Sequence, residues 1–380
     1  MPILNTLPYR ARRLYYAGTP GCRFACPGLC APLGFQPAFV KSETSVLLSS
    51  SYRMLRSIDI KQAAQAEGFS VCGIARAERV SPAREAERLA WLSRGEQGDM
   101  DYLARNVDVR LDPRLLVEGA KTVVSVAVNY NPASCDNQNA EKSSFCDETV
   151  QNGSTDRLCL SRYAYGTDYH EVVKQMLRSM MQRLRLVELV DGRCFVDTAP
   201  IDEKYWAEQS GIGWRGRNSQ LIIPGMGSYY FLGELVLTDE VDVYDEKAKN
   251  RCGTCAACLA ACPMHALHGD GTLDARRCLS YLTIEHRGEL PPEVQGKLGH
   301  CFYGCDRCAE ACPWNKRFAT PTTIAAFQPR PSLLSMTAAQ WGRLTEEEYR
   351  QLFRKSAVKR AKFEGLTRNI RCALEGLDKA

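Results

Sequence analysis

Two short cysteine runs constrain this 380-residue chain more than any other feature. The first, RCGTCAACLAACPMHAL at 251–267, places Cys252, Cys255, Cys258 and Cys262 in a C-x2-C-x2-C-x3-C spacing closed by Pro263. The second, YGCDRCAEACPWNKR at 303–317, repeats Cys255, Cys258 and Cys262 as Cys305, Cys308 and Cys312, with Pro313 behind the last. The offset is fifty residues throughout, so one ligand unit occurs twice.

Two-residue gaps on a turning backbone aim successive sulfurs at one point. The three-residue gap and the proline send the fourth sulfur elsewhere, and in bacterial ferredoxins that sulfur ligates a second cluster. Each run therefore predicts the other. Seven ligands are visible where two 4Fe–4S clusters need eight, because the counterpart of Cys252 is Phe302. Cys301 stands one residue off register, and Cys278 lies between the runs in RRCLSYLTIEH. Spacing does not choose between them. Paired CxxC motifs also build four-cysteine zinc sites, but a zinc ribbon has no use for an x3-C-P ending in both copies.

Composition narrows the setting. Hydrophobic residues make up 45% and charged residues 24%, as in an ordinary globular protein. No apolar run is long enough to cross a bilayer. Eighteen cysteines grouped in metal-binding spacings indicate thiolates in a reducing compartment, the cytoplasm, rather than a secreted disulfide framework. The net charge of +5 permits a polyanionic partner. From Asn315 onward there are thirteen Lys/Arg against six Asp/Glu, mostly in FRKSAVKRAKFEGLTRNIR. Such a tail can track phosphates, or it can be a solvated helix face.

Residues 1–53 are rich in Pro and Gly, nearly devoid of acid, and unlike the rest; they are expected to be a non-native or disordered extension, with Met54 opening the true domain. From there the pattern is α/β. IDIKQAAQAEGF predicts a helix ending at Gly68, and SPAREAERLAWLSRG one with Ser81 as N-cap and Pro82 at N1. AKTVVSVAVNY predicts a buried strand, and residues 131–158 a long exposed loop. HEVVKQMLRSMMQRLRLV is amphipathic, RCFVDTAP is a strand ending in a turn, YWAEQSGIGWRGRN a helix entering a glycine-rich loop, and YYFLGELVLT the last strand before the cysteines. Beyond Thr320 the chain reads as mostly helical.

No dinucleotide or P-loop motif is present, and GIGWRGRN has the wrong spacing for either. One carboxylate stands out: Asp197, at the end of an apolar strand in CFVDTAP. Burial there would raise its pKa and keep it neutral, a proton donor. The alternative is an Asp capping a helix that starts near Pro200.

Four separated stretches, RYAYGTDYH at 162–170, VDTAPIDEKYWAEQSGIGWRGRN, RRCLSYLTIEHRG and YGCDRCAEACPWN, together resemble the epoxyqueuosine reductases, and GLTRNIRCALEG resembles that family's closing helix. The resemblance runs from Ser57 to Leu377 and implies the following. A nitroreductase-like cobalamin-binding domain (54–245) precedes a ferredoxin-like domain with two 4Fe–4S clusters (246–320) and a basic helical segment (321–380) that contacts tRNA. The reaction reduces the epoxide of epoxyqueuosine at the tRNA wobble position to queuosine, the last step of that synthesis, with electrons passing from the clusters to cobalamin. Cys278 becomes the eighth ligand and Cys301 is not required. One cluster then takes Cys252, Cys255, Cys258 and Cys312, the other Cys262, Cys278, Cys305 and Cys308. Asp197 becomes the proton donor. Lys204 falls where the family usually has a cation, a point charge replacing a fork if arginine is the norm. Arg162, Gly216, Asn218, Ser280 and His286 become cobalamin contacts, with His286 not required to ligate cobalt. The remaining partner is a low-potential electron donor of unknown identity, and the protein is expected to be a monomer away from membranes. The rival readings are a reductive dehalogenase-like corrinoid reductase and a non-catalytic electron-transfer ferredoxin.

Overall fold

The structure is a computed structural model that describes residues 54–132 and 157–377. The expectation for residues 1–53, and that for residues 133–156 of the long loop, lie outside the described residues. In chain order, Ser57–Ala66 (α1), Val71–Arg76 (β1), Pro82–Ser93 (α2), Thr122–Asn129 (β2), Tyr169–Arg183 (α3), Gly192–Phe195 (β3), Glu203–Gln209 (α4) and Tyr230–Leu237 (β4) build the first half.

β2 shows why a sheet forms here. Its run TVVSVAVN carries β-branched side chains suited to a pleated strand, and both of its faces are covered. Val124, Val126 and Val128 meet Ile60 and Ala63 of α1 and Val173, Leu177 and Met180 of α3. Val123 and Ala127 point the other way, Val123 toward Phe195 and Trp206, Ala127 toward Ala207 and Ile212. Helices thus cover both faces, α4 lying over the second together with Leu111 of the short helix Val107–Leu111. α4 closes very near the sheet: a Cβ built on Gly73 of β1 would lie 2.0 Å from the carbonyl oxygen of Ser210.

The helix and strand segments occur where the sequence predicts them. Ser81 caps α2 by accepting from the Arg84 N–H at 3.3 Å, with Pro82 in the first turn. The sheet itself is antiparallel in every pairing, in the order β1-β2-β4-β3. A parallel arrangement needs crossover helices buried on the sheet, and α2 has no buried residue with which to do so.

In the second half the cysteine runs carry two short helices, Ala257–Ala261 and Arg307–Glu310, which pack against each other. Phe302, the residue that breaks the repeat, is a core side chain: it is fully buried with its ring 4.8 Å from that of Trp341. The last helix, Lys362–Leu377, buries Leu366, Ile370 and Ala373, and Asn369 Nδ2 donates to the Thr283 carbonyl at 2.7 Å. Among the described residues no helix is long and apolar enough to cross a membrane.

Candidate active site

Two residues past β3 the chain reaches Asp197, with φ at +52°, a left-handed conformation that Asp tolerates better than most side chains. Its backbone N–H donates to Glu203, which fixes the turn. Its Oδ2 accepts from the Tyr169 hydroxyl, and His170 Nε2 lies 3.5 Å away. Both partners come from the first turn of α3. Asp168 caps that helix by accepting from the His170 N–H, and its Oδ1 also lies 2.7 Å from His170 Nδ1. The Tyr169 ring stacks on Phe231 of β4 with centroids 4.3 Å apart, which holds its hydroxyl in place.

Burial works against a charged His170, but its bonds to Asp168 and Asp197 outweigh that and raise it to about 9, so it is a cation at neutral pH. Asp197 packs against Tyr169 and His170, while 57% of its side chain stays exposed. Desolvation pushes it up, yet the bonds from His170 and Tyr169, the His170 charge and the Lys204 charge prevail and hold it below the usual carboxylate range. The expected neutral Asp197 is therefore corrected to a carboxylate, because cations and a phenol surround it. The capping alternative also falls: Asp202 caps α4, accepting from the Tyr205 N–H at 3.4 Å.

Lys204 connects this carboxylate to the cysteines. Its ammonium donates to the Ser219 carbonyl at 2.8 Å, and its charge is felt by both Asp197 and Cys278. Ser219 belongs to the tip of a hairpin between Trp214–Arg215 and Leu221–Ile222, closed by the Gly216 N–H donating to the Gln220 carbonyl at 2.8 Å. The hairpin touches both cysteine runs. Trp214 Nε1 lies 3.3 Å from Cys252 Sγ, Arg217 donates to the Cys255 carbonyl at 2.8 Å, and Asn218 to that of Cys308 at 3.3 Å.

The thiols fall into two neighbourhoods. Cys258 is raised by burial, then by Cys312 and Cys252; Cys312 by burial, then by Cys252 and Cys255. Cys308 is raised by burial, then by Cys305, Cys278 and Cys262. Cys278 feels Cys262, and Cys305 feels Cys278. Several sulfurs receive N–H donors, as metal-bound thiolates do: Ala266 donates to Cys262 at 3.3 Å, Ser280 and Tyr281 to Cys278, Trp314 and Asn315 to Cys312. Cys301 also receives an N–H, from Tyr303, but its sulfur lies in addition 3.5 and 3.6 Å from the carbonyl oxygens of Tyr303 and Gly304, acceptors suited to a thiol. Among the described residues no three Cys, His, Asp or Glu side chains converge as a single ion would require.

The other expected contacts are distributed unevenly. Arg162 ties the two halves together, its N–H donating to Asp306 at 2.7 Å and its guanidinium to Glu310 at 3.2 Å. Ser280 contributes its backbone N–H to Cys278. His286 has both ring nitrogens engaged, Nδ1 with Asp99 at 2.8 Å and Nε2 with the Glu289 carbonyl at 3.0 Å. Sequence reasoning missed Asp168, Tyr169 and His170 as partners of Asp197, although they lie in RYAYGTDYH, and it missed the carboxyls of Glu203 and Glu234. Glu234 did leave a signal, a lone acid inside the apolar strand YYFLGELVLT.

Two family models match the chain: 4Fe-4S double cluster binding domain over residues 251–315, and Epoxyqueuosine reductase QueG, DUF1730, over residues 110–198. Among its relatives, the epoxyqueuosine reductase of Cellulophaga algicola is 42% identical over 313 residues, spanning 82% of this chain and 95% of that protein. The one from Pseudomonas aeruginosa is 38% identical over 308 residues, spanning 81% of each. Among solved structures, an epoxyqueuosine reductase with a tRNA-Tyr epoxyqueuosine-modified stem loop superposes with a TM-score of 0.74 at 26% identity, covering 85% of this chain and 82% of that one. The enzyme from Streptococcus thermophilus gives 0.72 at 29% identity, covering 84% and 81%.

Proposed function

The chain belongs to the epoxyqueuosine reductase family of oxidoreductases, and from that premise we propose that it reduces the epoxide of epoxyqueuosine in the tRNA anticodon to the alkene of queuosine. The observation that carries this reading is the position of Lys204, whose charge reaches both the Asp197 carboxylate and the Cys278 thiol. On this reading one cationic side chain links the electron-delivering and the proton-delivering centre.

The residues fit two 4Fe–4S clusters. We assign Cys252, Cys255, Cys258 and Cys312 to one and Cys262, Cys278, Cys305 and Cys308 to the other, supported by the two thiol neighbourhoods and the N–H donors to sulfur. The surroundings of Asp197 also fit a large amide-bearing cofactor such as cobalamin. Arg88 and Arg110 have buried Nε groups without partners, and Arg110 feels the charge of Asp197. Bound cobalamin would supply the strongly reducing electron pair that the epoxide carbon accepts. On this reading Arg162, Gly216, Asn218, Ser280 and His286 help to hold the cobalamin, and the engaged nitrogens of His286 suit a cofactor held without a histidine ligand. On this reading residues 54–245 form the nitroreductase-like cobalamin domain, 246–320 the ferredoxin-like domain and 321–380 the tRNA-facing segment.

Asp197 hands the proton to the epoxide oxygen. It is loaded from His170, which is protonated at neutral pH and 3.5 Å away. A tRNA loop closing over the recess removes water and deepens burial, which raises a carboxyl and moves the proton onto Asp197 when the substrate oxygen is in place. The Tyr169 hydroxyl orients the carboxylate throughout. The basic segment comes close to this recess, since the Lys355 carbonyl accepts from the Asp168 N–H at 2.9 Å.

Anaerobically purified protein with corrinoid and iron–sulfur absorption, given a chemical reductant and an epoxyqueuosine-containing stem loop, should yield queuosine by mass spectrometry. Fully loaded protein that leaves the epoxide intact would overturn the assignment.

A further inference from the structure

Turning an epoxide into an alkene and water breaks both C–O bonds and consumes two electrons and two protons. The reductant of the activity proposed above supplies the electrons, and His170 with Asp197 supplies one proton per loading. Behind Asp197 lies a second acid pair which that chemistry leaves unused. Glu203, the first residue of α4, accepts the backbone N–H of Asp197 itself. Glu234 sits in the middle of β4, fully buried. Its register sets it directly across from Ser125 on β2 and Phe195 on β3, and side chains paired in this way share one face. That is the face covered by α4.

Neither oxygen of Glu234 has an N–H or O–H donor, and Ser125 Oγ and Trp206 Nε1 are likewise buried without partners. A carboxylate so placed would bear an uncompensated desolvation cost. Glu203 acts on Glu234 more strongly than any other charged group, and two carboxyls can bond each other only with a proton between them. The charged groups around the pair are Asp197, His170 of α3, Asp202 and Lys204 at the start of α4, and Arg110. Asp202 is itself held at 2.6 Å by Arg84 of α2. Burial, then the Asp197 charge, raises Glu203 to about 8, and burial with Glu203 raises Glu234 well above the usual carboxylate range.

We propose that Glu203 and Glu234 form a proton store behind Asp197 that reloads it for the second protonation. Glu203 gives up its acid proton, Asp197 takes it, and that proton leaves with the substrate oxygen as water. The store refills from solvent through the open side of Asp197. This inference rests on the epoxide-reducing activity.

The test compares Glu203→Gln and Glu234→Gln in cofactor-loaded protein. Gln keeps the size and the acceptor for the Asp197 N–H. The wild type should lose turnover as pH rises through about 8, whereas Glu203→Gln should exchange that limb for the later one of His170, near 9, and run slower by roughly 10²-fold, the low end of general acid effects. Glu234→Gln, which leaves Glu203 in place, should slow multiple turnover and displace the limb. Infrared difference spectra across the same pH range should show a buried acid carbonyl in wild type that Glu203→Gln lacks. Unchanged rate and limb in both variants, or no acid carbonyl titrating in wild type, overturns the store. An inactive loaded wild type would instead refute the underlying activity, while the infrared band still decides whether the pair holds a proton.

Discussion

Asp197→Asn separates a proton-delivering carboxyl from a structural one. Asn tolerates the left-handed φ of +52°, presents an oxygen where the Tyr169 hydroxyl bonds, and matches Asp in volume, so the recess survives. It cannot carry an acid proton. Epoxide opening should slow by about 10²–10⁴, equivalent to roughly 3–5 kcal/mol of barrier. A second effect follows from His170. Its rise from 6.5 to about 9 corresponds to a ceiling of roughly 3 kcal/mol. The ring is 32% exposed, so solvent screening reduces that figure, and Asp168 at 2.7 Å holds more of it than Asp197 at 3.5 Å. About 0.5–1 kcal/mol is left for Asp197. A raised imidazole contributes stability that is full below pH 6.5 and lost as pH rises through about 9. The variant should therefore be less stable than wild type at pH 6 and nearly equal to it above pH 9. Single-turnover conversion of an epoxyqueuosine stem loop by prereduced, loaded protein reads the first effect, and denaturant unfolding at the two pH values reads the second. Near-normal product formation would remove Asp197 from proton delivery. Equal destabilisation at both pH values would refute its coupling to His170.

Cys278→Ala should lose roughly half of the bound iron while Cys301→Ala keeps it all, since two four-iron clusters share the eight assigned sulfurs; iron and sulfide assays decide, and the reverse pattern would exchange the two residues. Charge reversal at the exposed Arg354, Lys359 and Lys362 should weaken tRNA binding and lower the salt slope by about one unit for each lost phosphate contact. Arg360 is left out because it is bound to Glu285 at 2.7 Å; an unchanged slope would make the segment a solvated face. Asn315→Ala should cost about 1–3 kcal/mol in unfolding measurements, because the buried Ser228 N–H, which donates to Asn315 Oδ1 at 2.6 Å, loses its acceptor; a loss under half a kilocalorie would show that water or a neighbour replaces it.

What could be read from the chain depended on how locally each property is encoded. The cysteine runs were legible because their spacing is covalent, and Phe302 was visible as the break in the repeat. Why Phe302 stands there, packed on Trp341, depended on a residue thirty-nine positions away. Ser81 and Pro82 announced α2 because a cap is a matter of a few residues. The charge state of Asp197 was misjudged for the opposite reason: the groups that lower it sit on α3, twenty-seven and twenty-eight residues earlier, and on Lys204. Strand direction escaped for a similar cause, since β2 reads as buried whether its neighbours run with it or against it. Glu234 was in plain view inside an apolar strand, but only the register opposite Ser125 and the approach of α4 give it chemical meaning.

The interleaving of the two cysteine runs has a consequence for maturation. Cys258 neighbours Cys312, and Cys262 neighbours Cys308, so each metal centre would stitch both runs together. In a nascent chain, the first cluster to assemble closes a loop of about fifty residues, at an entropic cost of roughly 3–4 kcal/mol. The second closes little that is not already closed. Iron loading should then be all-or-none, with half-filled protein scarce at every iron concentration, and damage to one centre should leave its empty cradle held in shape by the other.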